Sequence, residues 1–84
     1  MALTTTYIIV PFLADPKGRL QPATPRRSLS RRNALAAAEG LGAFYAGVAV
    51  LCDRNDPVAG VFLEPLLICV VGDVPGDLVH QLAA

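Results

Sequence analysis

The sequence predicts a single α+β domain over residues 1–84: a β-β-α-β-β chain order forming a two-layer sandwich, with a mostly antiparallel four-stranded sheet and one helix on one face. Three observations point there. The runs TTTYIIVPFLA (4–14), AFYAGVAVLC (43–52) and PLLICVVGD (65–73) are apolar and rich in β-branched residues, the pattern of strands. A single alanine-rich stretch stands between serines and glycines, the punctuation of a short helix. A DPKG tetrapeptide after the first run turns the chain back on itself.

The first run is a strand in which Pro11, lacking an N–H, marks a bulge, an end or an edge. In DPKG (15–18) proline stands second and glycine fourth, as in a type I turn with the glycine in a left-handed bulge, so a hairpin follows. Its return arm, RLQPATP (19–25), carries Pro22 and Pro25 and reads as a ragged edge strand ending in an extended segment. The helix starts after Ser30, a good N-cap, with Leu29 placed to staple onto Ala34. Leu35, Ala38 and Leu41 share one helical face, and Gly40 and Gly42 supply the stop. The two later runs are continuous apolar segments, which predicts strands buried on both faces. Between them DRNDPVAGVFLE (53–64) is a turn-rich loop in which Val61, Phe62 and Leu63 form a short extension or tuck into the core. The tail VPGDLVHQLAA (74–84) forms a final helical turn over an exposed edge.

Apolar residues make up 54% of the chain, against about 45–50% for soluble domains counted with glycine. One short helix covers one side of a sheet. In the first strand Ile8, Val10 and Phe12 point one way and Tyr7, Ile9 and Pro11 the other, so both sides are apolar. The second side therefore needs a cover, and a second copy of the chain supplies it by closed twofold symmetry. The competing reading folds the tail and the 53–64 loop over that side within one chain.

Seven basic and seven acidic residues balance, so no overall field draws the chain to nucleic acid or a membrane. The distribution is two-ended. Residues 1–38 set Lys17, Arg19, Arg26, Arg27, Arg31 and Arg32 against Asp15, a net +5. Residues 39–84 set Arg54 against Glu39, Asp53, Asp56, Glu64, Asp73 and Asp77, a net −5. PRRSLSRRNAL (25–35) concentrates four arginines where the helix starts. Free backbone N–H groups, the positive dipole end and guanidinium groups from Arg26, Arg27, Arg31 and Arg32 around Ser30 make a candidate anion site for phosphate, carboxylate or a nucleic-acid backbone. A solvated basic corner explains the same residues without a ligand. The five aromatic residues all lie in apolar runs, so no stacking platform supports nucleic-acid binding.

No other constellation carries chemistry. Asp53, Asn55 and Glu64 match positions one, three and twelve of a calcium loop, but Pro57 and Val58 stand where an oxygen ligand and a glycine are required, so no metal site is expected. Cys52 and Cys69 lie in apolar runs and read as buried, reduced thiols. His80, the one histidine, reads as a surface residue of the tail. Gly40, Gly42 and Gly47 follow a helix and precede a strand, the reverse of a phosphate-cradling loop. No catalytic residues and no cofactor are implied. The amino terminus has no basic leader region and Glu39 interrupts the longest apolar stretch, which predicts a cytoplasmic chain without a membrane span.

Val10-Pro11-Phe12, the AGVAVL strand at 46–51 after a short helix, and GDVP at 72–75 together resemble a group of short bacterial proteins described only as hypothetical. The resemblance implies no activity, cofactor or functional residue. The sequence thus leads to a small non-enzymatic interaction module that forms a homodimer through an apolar sheet face. The alternative is an anion or nucleic-acid-backbone binder acting through the arginine-rich helix start.

Overall fold

The computed structural model describes residues 3–76, and these form a small α+β domain with one helix and a curled antiparallel sheet. Its strands are β1 (Thr4–Ala14), β2 (Leu20–Pro22), β3 (Arg26–Ser28), β4 (Gly47–Asp56), β5 (Val61–Phe62) and β6 (Leu66–Gly72), and α1 spans Arg31–Leu41. Two long strands carry the sheet: β1 pairs with β4 from Thr4↔Asn55 to Phe12↔Gly47. On the free side of β1 lie β2, opposite residues 12–14, and β3, opposite residues 7–9. On the free side of β4 lie β5 and β6 in the same manner. Six strands thus fill four rows, and each outer row is broken once.

The break beside β1 has a cause in the sequence. Pro11 sits in register opposite Ala23, just past β2, and having no N–H it cannot return the bond it receives there, so the ladder stops. Its carbonyl accepts the Ala23 N–H at 2.8 Å. The expectation of an edge or an end for Pro11 is corrected: it is fully buried in a central strand. The return arm is corrected too. Pro22 closes β2, the chain leaves the ladder after the Ala23 bond to Pro11, and Arg26–Ser28 rejoin it as a separate strand. The observed order is therefore β-β-β-α-β-β-β. The DPKG hairpin forms as read. Gly18 has φ +81°, its N–H reaches the Asp15 carbonyl at 2.9 Å, and Asp15 Oδ1 accepts the N–H groups of Lys17 and Arg19. The Arg19 backbone N–H above all, with the Arg19 side chain and the Lys17 N–H, holds the Asp15 carboxyl below its ordinary pKa.

The alternation of β1 sets up two apolar clusters, one on each side of the sheet. On the helix side Ile9, Val48 and Val50 pack against Ala34 and Ala38, all 0–2% exposed. The alanines present only methyl groups, so the helix lies close to the strands. Leu35 and Leu41 flank that contact, as their spacing predicted. On the second side Val10, Phe12, Ala49 and Leu51 are equally buried, with Ile8, Leu20 and Val74 packed around them. Part of the cover expected from a partner thus comes from the curl of the chain itself.

Other elements shift from their expected places. Residues 43–46 make the turn out of α1, and β4 begins only at Gly47 and runs on through Asp53, Arg54, Asn55 and Asp56. Most of the expected 53–64 loop is therefore a hairpin, with Val61 and Phe62 forming the short extension. β6 is not buried on both faces: Leu66, Leu67 and Val70 are 42–47% exposed, because β6 is an outer row with one neighbour. The expected helical turn at the tail lies, from residue 77 onward, outside the described residues, as does His80.

Two glycines separate packing from propensity. A Cβ on Gly47 would fall on the Asp73 backbone, whereas one on Gly40, inside α1, would meet nothing within 4 Å. Gly47→Ala is expected to lower stability by about 3 kcal/mol or more through overpacking against the chain. Gly40→Ala is expected to raise it by about 0.5–1 kcal/mol by limiting the unfolded chain. Urea unfolding of both variants, read as midpoint and slope, checks the pair.

Candidate functional site

The second side of the sheet carries an open groove of about 490 Å³. Ile8 and Val10 of β1 and Leu51 of β4 form its floor, because these positions share one side of the pleat. Pro22, Ala23 and Pro25, where the chain leaves the ladder between β2 and β3, make one wall, and Pro65 before β6 makes the other. The prolines that interrupt the outer rows are thus the ones that raise the groove's sides. Leu67 and Val70, paired with Leu51 and Ala49, continue the apolar surface on the same side toward the edge.

Two opposite charges line this apolar groove. Arg27 pairs in register with Ile8 from the β3 side, and Asp53 lies in β4 opposite Thr6. They stand in the rows flanking β1, with Cα atoms about 12 Å apart from sheet spacings. Neither belongs to an ion pair: among the described residues the only one is Arg19 Nε to Asp15 Oδ2, at 3.0 Å. Asp53 Oδ2 accepts a hydrogen bond from Asn55 Nδ2 at 3.4 Å.

The candidate anion-binding residues are not brought to one place. Arg26 and Arg27 are consecutive residues of a strand, so they point to opposite sides of the sheet. Arg26, opposite Ile9, lies on the helix side, and Arg27 lies on the groove side. Arg31 and Arg32 occupy the first two positions of α1, exposed. Ser30 is the N-cap, as predicted, and its Oγ accepts the Asn33 N–H at 3.2 Å. Ser28 supports it: its Oγ accepts the Ser30 N–H and donates to the Ser30 carbonyl, both at 3.1 Å. The expected staple is absent, since Leu29 is 80% exposed.

Elsewhere the structure disperses what the sequence grouped. Asp53 and Asn55 lie on extended β4, while Asp56 Oδ1 accepts the Ala59 N–H at 3.1 Å within the following turn, so no calcium loop forms. Among the described residues no three His, Cys, Asp or Glu side chains gather where they could hold a metal. Cys52 and Cys69 are free and half-buried rather than buried, and Cys52, being even-numbered in β4, faces away from the groove. No helix among the described residues is long and apolar enough to cross a membrane. Compared with protein families, characterised proteins and solved structures, the chain shows no significant match.

The groove escaped the sequence reading, although one signal was present in Pro22, Pro25 and Pro65, three prolines that interrupt the chain on either side of the long apolar strands β1 and β4. The cap can be tested alone. Ser30→Ala is expected to cost about 1 kcal/mol of stability, since the Asn33 N–H loses its acceptor. Thermal unfolding followed by circular dichroism measures it, and Ser30→Asp, which restores an acceptor, is expected to recover the loss.

Proposed function

We propose that this chain is a small, non-enzymatic, cytoplasmic interaction module that forms a homodimer through its second sheet face. The observation that carries the reading is the open apolar groove on that face, lined by Ile8 and three prolines and continued by half-exposed Leu67 and Val70. In the dimer the two-layer arrangement of helix on sheet becomes helix, sheet, sheet, helix. Residues 61–62 extend the sheet as β5 instead of crossing it, which weakens the competing reading that the 53–64 segment covers the groove. Kinship with the short bacterial proteins that share the VPF, AGVAVL and GDVP segments belongs to the same proposal and assigns no residue a role.

Sedimentation over the micromolar range is expected to show mass rising from monomer to dimer. Ile8→Lys, which puts a charge on the groove floor, is expected to hold the chain monomeric while its circular dichroism stays native. A parent chain that remains monomeric at several hundred micromolar removes the proposal.

A second reading keeps the positive corner as an anion or nucleic-acid-backbone contact. It is favoured by one observation: Arg26, Arg31 and Arg32 are exposed and have no ion pair among the described residues. Titration with phosphate or a short oligonucleotide is then expected to give salt-dependent binding that the Arg31→Ala/Arg32→Ala variant loses. No such binding by the parent eliminates this reading.

A further inference from the structure

We propose that the partner copy sits on the groove face across a twofold axis running along β1, so that Arg27 of each copy meets Asp53 of the other. The inference rests on the self-association reading and adds to it the symmetry and the residues that fix it.

Three placements of a twofold axis are available to a sheet. An axis normal to the sheet joins copies edge to edge. Through β6 this sets Glu64, just before the strand, beside the Asp73 that follows the partner's strand, and repeats the like-charge contact on the other side. Through the other edge, an axis at the ladder break between Pro22 and Pro25 sets prolines into the new contact, and an axis centred on β3 brings the Arg26-Arg27 segments of the two copies together. Neither edge contact covers the groove. An axis in the plane of the face but across the strands lays each row over its own copy, reversed, so Arg27 meets only the β3 row of the partner and Asp53 only the β4 row, and the opposite charges are not brought together.

An axis along the strands reverses the order of the rows. Placed over β1, it lays β1 on β1 and carries the β3 row of one copy over the β4 row of the other. Arg27 then stands over Asp53, and the twofold repeats the pair. Facing sheets pack about 10 Å apart, and the two positions are offset by two residues along the strands. An arginine and an aspartate side chain, extended toward each other, span that distance. Ile8 meets Ile8 and the proline walls close around it.

The domain measures 46 × 26 × 17 Å, so its broad face can supply the roughly 800 Å² per partner that stable complexes use. Val10 and Leu51, at 1–2% exposure, are already out of water, so the apolar gain falls to Ile8 and the rim. With that term modest, the two charges decide which way the copies face.

The test is a charge exchange. Arg27→Asp and Asp53→Arg are each expected to weaken the dimer on the order of tenfold in sedimentation or native mass spectrometry. Mixing the two single variants is expected to restore a dimer made of one of each. The double variant, with both charges exchanged in one chain, is expected to dimerise as the parent does, and circular dichroism of all three checks that they fold. If the parent dimerises but single variants match it, or weakened singles fail to recombine on mixing, the proposed axis is wrong while self-association stands. A parent that never dimerises overturns both.

Discussion

The antiparallel pairing of β1 with β4 is the contact on which the rest of the structure depends. Both strands are apolar on both sides, so the register that sets Ile9 against Val50 also sets Val10 against Ala49. A one-residue slip would exchange the two sides without exposing a polar one, so hydrophobic alternation alone does not fix this register. What fixes it is size and closeness. Gly47 stands where the Asp73 backbone passes, and Ala34 and Ala38 bring the helix down onto Ile9, Val48 and Val50. Small residues at defined positions do the work that polar-out alternation does in other sheets.

From that two-sided pair the groove follows through proline. Pro11 removes a ladder donor in the centre of β1, so the outer row cannot be continuous there. Pro22 and Pro25 let the chain step away from the sheet over that gap and rejoin it at Arg26. A row that leaves the sheet makes a wall, and the floor beneath it stays apolar because β1 is apolar on that side as well. The same prolines, with Arg26 and Arg27, guard this edge against pairing with another strand. On the β6 edge residues 66–72 contain neither proline nor charge, and the guard lies at the two ends of the strand, in Glu64 with Pro65 and in Asp73.

Local chemistry was legible in the sequence and long-range placement was not. The DPKG hairpin and the Ser30 cap depend on residues within four positions of one another, and both form as read. The third strand could not be seen, because Arg26-Arg27-Ser28 has no strand pattern of its own and becomes one only by docking on Tyr7–Ile9. The β6 run is as apolar as the central strands, so composition predicted burial. Its exposure comes from standing last in the sheet, which is a property of the topology. The groove failed to appear for a related reason: its lining residues come from four separate segments that only the register brings together.

The arginines at the helix start take on a different meaning once β3 is recognised. Arg31 and Arg32 at the first two helical positions oppose the dipole by a few tenths of a kcal/mol each, and a serine cap worth about 1 kcal/mol offsets that cost. No bound anion is required to account for them. The pleat of β3 then divides the remaining two, sending Arg26 to the helix side and Arg27 to the groove. Arg27 is the one cation of the four that lines the groove, with an acid on the far side of it and no ion-pair partner among the described residues. A net charge of zero built from two opposite halves places complementary groups on either side of one strand. A twofold axis along that strand satisfies both with a single contact repeated.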